Sequence, residues 1–458
     1  MSVPTSVSDL RQFLTLLEDR GELHRVTAEV DPKLEIAAIT DRVCKSAAGG
    51  QALLFERVRG YRVAVATNLF GSTQRAAWAV GATRADEAAE RLATGLAGAC
   101  GENAEERLRS LLQRPEFAPR LQPRGICHSV VMDHPDLSRL PALHCWPGDG
   151  GRYLTLPQVF TRHPDGGIAN CGMYRVLLSG PRQASIHWRN GSDAARHCQA
   201  WHMRNLPMPV SIALGGDPAM IFAAAFPLPP DISETALAAL LRRHPIDLAP
   251  SQHSDLPVPA HAEYVIEGLV WPGETAMEGP FGNHTGFYQP SAYMPRLRVI
   301  SISHRPEPVF STTVVGPPPM ENCHLGKVAE RLILRLLRIE HPDIVDIHMP
   351  VEGIFHGATL ISVRPGTCGR SLLQALWRSG PLHGARLLVV TIDGDQRDPA
   401  TFFWRALNRM DPGRDLLVQD GRLGIDATID PAGLKVLRPD EAITALVQRR
   451  WAEYGFDV

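Results

Sequence analysis

The sequence predicts a multidomain α+β protein, and three changes of pattern along the chain support this. Its 458 residues are enough for two or three domains. Helical periodicity mixes with strands over 1–124, short β-like segments separated by Pro and Gly run over 125–320, and strands alternate with helices over 321–458. We therefore expect an N-terminal α/β domain, a central barrel or sandwich and a C-terminal α/β domain.

The N-terminal region opens with a clear amphipathic helix. Ser8 or Asp9 can cap a helix over Leu10–Glu18, and Gly21 can end it. Beyond it we predict strands at Ala52–Glu56 and Arg62–Thr67 and helices at Ala76–Val80 and Ala85–Leu96. A proline-rich stretch from residue 115 to 123 marks the end of this region.

The central region combines short strands with one helix. Ser233 is a suitable N-cap for a helix over Glu234–Arg243. The predicted strands are Val130–Met132, Gln158–Thr161, Asn170–Leu178, Ser185–Trp188, Val210–Leu214, Tyr264–Val270 and Pro308–Val315.

The C-terminal region begins with the strongest helical pattern of the chain, Leu325–Ile339, in which apolar residues recur at helical spacing. After it, strands and helices alternate, which is typical of an α/β domain. The predicted elements are strands Thr359–Val363 and Ala385–Thr391 and helices Ser371–Arg378 and Thr401–Asn408.

Composition narrows the functional class. The 47 basic and 49 acidic residues give a net charge of −2, so neither nucleic acid nor an anionic membrane is expected as the main partner. Eight scattered cysteines without a Cys-x-x-Cys pair indicate free thiols in a reducing compartment. The first residues lack a secretion-signal pattern, and no apolar run reaches ~20 residues. These features predict a cytoplasmic enzyme.

Three polar residues of the central region form a candidate metal site. Asn170, His187 and Glu234 offer an amide oxygen, an imidazole nitrogen and a carboxylate, a set that suits Mn²⁺ or Mg²⁺ better than structural zinc. Their spacing matches no local metal motif, and each has an ordinary structural explanation, such as a helix-capping role near Ser233. From the residues alone, this site is therefore weakly indicated.

A series of motifs, taken in order, resembles the UbiD family of decarboxylases over most of the chain. Each motif is modest, and their ordered sum is specific. The motifs are Glu29–Ile36, Asn68–Ser72, Asn170–Arg175, Ile186–Trp188, Val210–Gly215, Asp231–Glu234, Pro257–Ala260, Glu278–Gly286, Arg409–Asp415 and Gly424–Thr428.

This resemblance implies a fold and a set of ligands. The central domain would be a split β-barrel that binds prenylated FMN, and the C-terminal α/β domain would mediate oligomerisation. Asn170, His187 and Glu234 would hold Mn²⁺ (or Mg²⁺), with K⁺ as a further candidate ion. Arg422 stands in place of a family lysine that approaches the phosphate. Cofactor contacts would come from Asn170, Met173, Tyr174, Arg175, His187, Trp188, Arg189, Glu234 and Arg422.

The resemblance also implies a catalytic triad, formed here by Arg175, Glu278 and Asn283. The family has an acid at the third position, and an amide cannot carry a proton as an acid can. His284 or His324 are candidates to compensate. The implied reaction is reversible non-oxidative decarboxylation of an aromatic, heteroaromatic or α,β-unsaturated carboxylic acid through a covalent prenylated-FMN adduct, with Glu278 as the proton donor. A separate flavin prenyltransferase would supply the cofactor to a homodimer or higher homo-oligomer.

Two other functional classes remain open at this point. A split barrel with ordinary FMN could be an oxidoreductase, although nothing in the sequence resembles a nicotinamide site. A non-catalytic binding protein that lost its acid is the second alternative. Among substrates, the residues Asn283–Thr285, Phe287 and Tyr288 favour a phenolic or other aromatic acid over an unsaturated natural-product acid.

Overall fold

The computed structural model describes residues 7–354, 357–392, 398–429, 437 and 439–456. Its N-terminal part packs five helices around a small sheet. The helices are α1 Leu10–Asp19, α2 Glu35–Cys44, α3 Thr73–Ala79, α4 Ala85–Ala97 and α5 Ala104–Leu112. The strands are β1 Leu23–Val30, β2 Ala52–Val58 and β3 Ala64–Thr67.

Helix α1 follows the sequence prediction closely. The side chain of Asp9 accepts a hydrogen bond from the backbone N–H of Gln12 at 2.9 Å, so Asp9 rather than Ser8 is the N-cap. The apolar face is buried, and burial of a side chain such as Phe13 contributes roughly 1.5–3 kcal/mol.

The central region is mostly β-structure, with three helices. Its strands are β4 Arg120–Leu121, β5 Val130–Val131, β6 Arg152–Leu154, β7 Gln158–Thr161, β8 Asn170–Gly172, β9 Val176–Gly180, β10 Gln183–Ile186, β11 Met208–Leu214, β12 Asp247–Pro250, β13 Pro257–Pro259, β14 Tyr264–Glu278, β15 Phe281–Gly282, β16 Tyr288–Gln289, β17 Ala292–His304 and β18 Val309–Ser311. Its helices are α6 Asp193–Met203, α7 Pro218–Ala225 and α8 Glu234–Arg242.

One curled sheet organises this region. Its strand order is β6-β9-β10-β17-β14-β11-β7-β8, with β5 added to β17. The long strands β14 and β17 form an antiparallel ribbon that pairs Tyr264 with His304 at one end and Glu278 with Ala292 at the other. The ribbon therefore carries Glu278 to its tip, beside the small hairpin of β15 and β16.

The central and N-terminal parts share a sheet. Strand β18 pairs in parallel with β3, which places a strand from the central region at the edge of the N-terminal sheet. Close by, the buried carboxylate of Glu263 accepts hydrogen bonds from Arg11 on α1 and from the backbone N–H of Val309. These contacts fix α1 against the end of the ribbon.

The C-terminal part is an α/β unit joined by one long helix, which packs against α3, α4 and the first strand that follows it. The helices are α9 Glu321–Glu340, α10 Gly369–Arg378, α11 Pro399–Arg409, α12 Pro412–Asp415 and α13 Glu441–Arg449. The strands are β19 Ile344–His348, β20 Ala358–Val363, β21 Leu387–Thr391, β22 Leu416–Gln419 and β23 Arg422–Ala427, in the order β19-β20-β21-β23-β22. The α+β class predicted from the sequence is confirmed.

Several element predictions differ from the structure. The predicted strand Asn170–Leu178 is two strands, because Met173–Arg175 leaves the sheet between β8 and β9. Helix α9 begins at Glu321, four residues earlier than predicted. The sequence did not mark this start because Met320, the N-cap residue, makes no capping hydrogen bond with its side chain. Strand β17 was not predicted because Pro295 and two arginines interrupt the apolar alternation in its first half. Among the described helices, none is long and apolar enough to cross a bilayer.

Candidate active site

The carboxylate of Glu278 is the best-connected polar group at the tip of the ribbon. Its side chain is fully buried. Oε1 accepts from Nε of Arg175 at 2.8 Å and from the hydroxyl of Tyr153 at 3.1 Å. Oε2 accepts from Nη2 of Arg175 at 2.7 Å and from Nδ1 of His187 at 2.8 Å. Both oxygens are therefore fully used.

These contacts decide the charge of Glu278. Burial alone would raise its pKa. The hydrogen bonds from His187 and Arg175, together with the Arg175 charge, outweigh burial and lower the pKa to about 2. Glu278 is therefore ionised at neutral pH, in a bidentate ion pair with Arg175.

Arg175 is held from three sides. Its third guanidinium nitrogen, Nη1, donates to Oε1 of Gln289 at 2.6 Å. The guanidinium also lies over the ring of Phe281, 4.5 Å from the ring centroid. Phe281 and Gln289 belong to β15 and β16, so the small hairpin positions the Arg175–Glu278 pair from one side.

Tyr153 and Gln289 were not predicted from the sequence as site residues. Tyr153 lies on β6, 125 residues from Glu278, and Gln289 lies 114 residues from Arg175. Neither residue stands in a recognisable local motif. Only the pairing of β6 with β9 and of β15 with β16 brings them to the site.

His187 links the acidic residue to the candidate metal ligands. A carboxylate can only accept, so the hydrogen of the His187 contact is on Nδ1. Nη2 of Arg175 also lies 3.1 Å from this nitrogen, but a guanidinium only donates, and that contact is therefore not a hydrogen bond. In the neutral ring, this tautomer leaves the Nε2 lone pair for another partner.

Glu234 is a buried carboxylate at the first turn of α8. Ser233 caps this helix as predicted, by accepting from the N–H of Ala236 at 3.2 Å. Oε2 of Glu234 accepts from the backbone N–H of Cys171 at 3.0 Å. Burial raises the pKa of Glu234 to about 8, against partial compensation from backbone hydrogen bonds. No described residue forms an ion pair with it.

Asn170 directly precedes the residue that is hydrogen-bonded to Glu234. The side-chain amide nitrogen of Asn170 donates to the hydroxyl of Thr161 at 3.3 Å, and this contact does not use the amide oxygen Oδ1. Because Cys171 is bound to Glu234, the preceding residue Asn170 is held at the start of α8. The structure thus links Asn170 to Glu234 through the neighbouring residue Cys171, and it links His187 to Glu278 through a direct hydrogen bond.

The donor set fits a hard divalent cation. An oxygen of Asn170, a lone pair of His187 and the uncompensated carboxylate of Glu234 are each still available. Over the described ranges, no group of three His, Cys, Asp or Glu side chains is arranged to hold a metal ion. A metal at this place therefore needs the amide oxygen of Asn170.

Three of the other residues predicted to contact a cofactor are sequence neighbours of His187 and Asn170. Trp188 is buried, and its Nε1 has no hydrogen-bond partner among the described residues. The ring of Tyr174 packs onto Gly172, and burial raises the pKa of its hydroxyl to about 12. The backbone N–H of Met173 donates to Ala224 on α7 at 2.8 Å. An orphaned indole N–H beside His187 fits a missing polar ligand.

The loop from Asn283 to Gly286 is arranged differently from the implied triad. Oδ1 of Asn283 accepts from both the N–H and the hydroxyl of Thr285, and it has no hydrogen bond to Arg175 or Glu278. Burial and the positive charge of Arg189 lower the pKa of His284, which keeps its ring neutral near pH 7. The charge of Arg189 therefore acts on His284, whereas the side chain of Asn283 is hydrogen-bonded within the loop and does not contact Glu278.

Arg422 is held within the C-terminal unit. Its guanidinium donates to the backbone oxygens of Trp377 and His383 and to the carboxylate of Asp420. It also lies over the ring of Trp377, 5.2 Å from the centroid. None of these partners belongs to the central region, so this arrangement does not bring Arg422 to the other predicted cofactor residues.

His324, the second histidine considered as a compensating group, lies on α9 rather than beside Glu278. Burial, with the charges of Arg75 and Lys327, lowers its pKa to about 4. In the unfolded chain His324 becomes protonated below pH 6.5. In the folded chain it becomes protonated only near pH 4. We expect this residue to remove up to about 1.4 kcal/mol of unfolding free energy per pH unit as the pH falls through that window.

Urea unfolding of the wild type and of His324→Gln at pH 7, 6 and 5 measures this contribution. The variant should lose less stability on acidification, whereas His134→Gln, at an exposed position, should behave as the wild type. Equal slopes for His324→Gln and the wild type would contradict the expectation.

Comparison with known families assigns all three parts of the chain. Residues 14–95 match the N-terminal domain, residues 120–318 the Rift-related domain and residues 323–436 the C-terminal domain of 3-octaprenyl-4-hydroxybenzoate carboxy-lyase. An uncharacterized protein of Archaeoglobus fulgidus is 38% identical over 444 residues, covering 92% of this chain and 91% of that protein. An uncharacterized protein of Aquifex aeolicus is 36% identical, with 98% and 93% covered.

Solved structures agree with this assignment. A dimeric evolved form of the UbiD-class enzyme HmfF from Pelotomaculum thermopropionicum, in complex with prFMN, has a TM-score of 0.81 and 28% identity, covering 97% of this chain and 99% of that one. The closed form of vanillic acid decarboxylase from Sedimentibacter hydroxybenzoicus has a TM-score of 0.86 at 24% identity, covering 99% and 100%, and shares the fold. The chain belongs to the UbiD family of carboxy-lyases.

Proposed function

We propose that this protein catalyses the reversible non-oxidative decarboxylation of an aromatic or α,β-unsaturated carboxylic acid, with prenylated FMN and a divalent metal ion. The observation that carries the proposal is the Glu278–Arg175 ion pair at the tip of the ribbon, in which Glu278 also accepts a hydrogen bond from His187, one of the three proposed metal ligands with Asn170 and Glu234. The prFMN complex of HmfF, a relative with 28% identity, supports the choice of cofactor.

The chemistry requires an electron acceptor that the chain lacks. Loss of CO2 leaves the electron pair of the broken carbon–carbon bond on the substrate, and no side chain in this site can delocalise it. The prenylated flavin supplies that electron sink when bound. The protein's own task is then to hold the acid in place, to keep the site dry and to deliver a proton to carbon.

Glu278 is the proposed proton donor. A carboxylate substrate and one proton give the decarboxylated product and CO2, so Glu278 takes up one proton from solvent for each proton that it gives to carbon. In the reverse direction its ionised form accepts the proton from the substrate. The low pKa of Glu278 keeps the carboxylate charged between turnovers, and Arg175 balances that charge.

The metal and the cofactor phosphate would be held on the other side of His187. We propose that Oδ1 of Asn170, Nε2 of His187 and the carboxylate of Glu234 bind Mn²⁺ or Mg²⁺, and that the metal neutralises both Glu234 and the phosphate. The further proposed cofactor contacts are Trp188, whose indole N–H is unpaired among the described residues, and Met173, Tyr174 and Arg189. A role for K⁺ and for Arg422 stays a prediction, as do the flavin prenyltransferase partner and the homo-oligomer.

For the substrate we propose an aromatic acid first and an unsaturated natural-product acid second. The polar groups of the catalytic loop are partly engaged already: Asn283 is bound to Thr285, and the hydroxyl of Tyr288 accepts from the N–H of Gly148 at 2.9 Å. We propose His284, whose ring is kept neutral by burial and by the charge of Arg189, as a hydrogen-bonding group toward a ring substituent, irrespective of the partners that Asn283 and Tyr288 have.

Co-expression with a flavin prenyltransferase tests the proposal. We expect native mass spectrometry to detect prenylated FMN in the purified protein. In D2O, turnover of a panel of aromatic and unsaturated acids should release CO2 and place one deuterium at the carbon that lost it. Plain FMN under these conditions, with reduction of the flavin by a hydride donor, would contradict the proposal in favour of an oxidoreductase.

A further inference from the structure

The segment from Asp149 to Tyr153 is fastened along the tip of the ribbon. Oδ1 of Asp149 accepts from the N–H of Gly282 at 2.8 Å, and the N–H of Gly150 donates to the carbonyl of Pro280 at 2.7 Å. A Cβ atom at Gly150 would lie 2.2 Å from the carbonyl oxygen of Gly279, so the two backbones are in direct contact. These backbone contacts do not involve the side chain of Tyr153.

The Tyr153 side chain adds a separate connection to Glu278. Its ring is 1% exposed and packs edge-on against Phe281, with centroids 4.7 Å apart. Its hydroxyl lies 3.1 Å from Oε1 of Glu278 and 3.3 Å from the carbonyl oxygen of Pro280. Because Phe281 also lies under the guanidinium of Arg175, the four side chains form a closed ring of contacts.

We propose that Tyr153 is a positioning residue for Glu278, which its hydroxyl holds in the orientation needed for proton transfer to carbon. This inference rests on the proposed function, in which Glu278 is the acid. Oε2 of Glu278 is oriented by Arg175 and His187, whereas Oε1 has only Arg175 and Tyr153. Without the hydroxyl, Oε1 keeps only the hydrogen bond from Nε of Arg175, so the orientation of the carboxylate is less restricted.

The carbonyl oxygen of Pro280 is a second acceptor for the Tyr153 hydroxyl, which allows Tyr153 to stay hydrogen-bonded while Glu278 moves. When Glu278 shifts toward a substrate, the Tyr153 hydroxyl can donate to Pro280 without becoming unpaired, and it can return when the carboxylate returns. The backbone of Tyr153 stays fixed meanwhile, because its N–H donates to Leu143 at 2.9 Å and β6 pairs with β9.

Tyr153→Phe removes only the hydroxyl and tests this inference in the cofactor-loaded enzyme. We expect kcat to fall about 10-fold, the scale of one hydrogen bond to a charged group, with KM changed by less than about twofold. Flavin content, flavin absorption and the melting temperature should match the wild type, because the backbone contacts remain. Site-specific replacement of Tyr153 by 3-fluorotyrosine, which keeps a donor hydroxyl, should restore kcat to within about twofold.

Tyr264→Phe is the matched control. Tyr264 is also buried, but it lies at the opposite end of the same strand as Glu278, so loss of its hydroxyl should leave kcat unchanged. Combined with Glu278→Gln, Tyr153→Phe should cause no further loss. Normal kcat in Tyr153→Phe with an inactive Glu278→Gln would overturn this inference alone. Full activity in Glu278→Gln would instead overturn the role of Glu278 in the proposed function.

Discussion

Replacing Glu278 by glutamine is expected to lower kcat for decarboxylation by about 100-fold or more, the usual scale for a positioned acid. Glutamine has nearly the same shape, so it can keep one hydrogen bond to Arg175, but it cannot carry the proton. The metal ligands and the residues around Trp188 are untouched, and flavin and metal should therefore remain bound. The same change removes the negative charge beside the guanidinium of Arg175, which is 12% exposed, and this lowers stability by up to about 3–5 kcal/mol.

Single-turnover CO2 release by the reconstituted variant measures this effect separately from folding. Flavin and metal content are determined on the same sample, below its melting temperature. Glu278→Asp is the companion variant, because it keeps the acid and shortens its reach by one methylene. We expect it to retain more activity than Glu278→Gln. Near-normal turnover in Glu278→Gln would exclude Glu278 as the proton donor.

The fold was predictable where local chemistry decides the structure. Helix α1 has an apolar face and a capping aspartate, and α8 has its serine cap, so both were found within a residue or two. Strand β17 was missed because half of it extends in a ribbon with no core to face, and its sequence shows no alternation there. Helix α6, Asp193–Met203, was missed because its polar residues hide a narrow buried face.

The site was predictable only in part, for a related reason. Arg175 and Glu278 were paired through a family resemblance, and the structure indeed joins them by two hydrogen bonds. Tyr153 and Gln289 belong to no motif, because their role depends on strand pairing between distant segments. The sequence could not show that the side-chain oxygen of Asn283 accepts a hydrogen bond from the N–H of Thr285. Such a hydrogen bond within a turn depends on the local backbone conformation.

Replacing Glu234 by glutamine is expected to abolish the stabilisation of the protein by Mn²⁺. The amide keeps an oxygen for the N–H of Cys171, so the start of α8 should stay intact. It removes the charge that a cation would neutralise and leaves a neutral amide oxygen, a weaker ligand, in place of the carboxylate. We expect metal affinity to fall by at least about 100-fold, and flavin retention to fall with it, because in the proposed site the metal would also help to hold the cofactor phosphate.

In the metal-free wild type, ionisation of buried Glu234 should lower the free energy of unfolding. Burial gives Glu234 a pKa of about 8 in the folded chain, above the ordinary value of 4.5, so between these pH values the folded state holds a proton that the unfolded state has lost. The contribution of Glu234 to stability is therefore complete below pH 4.5 and is lost as the pH rises to about 8. The slope is at most about 1.4 kcal/mol per pH unit, and Glu234→Gln should remove it.

Thermal unfolding with EDTA and with added Mn²⁺, from pH 5 to pH 8, checks both parts. Glu267→Gln provides the control, because Glu267 is equally buried on β14 but is satisfied by the N–H groups of Gln252 and His253. That variant should keep the Mn²⁺ response, whatever its own stability. If Mn²⁺ raised the melting temperature of Glu234→Gln as much as that of the wild type, the metal would bind elsewhere. His187 would then not be bound to a metal through the proposed site. Its Nδ1 hydrogen bond to Glu278 would orient the Glu278–Arg175 pair without help from a metal on Nε2.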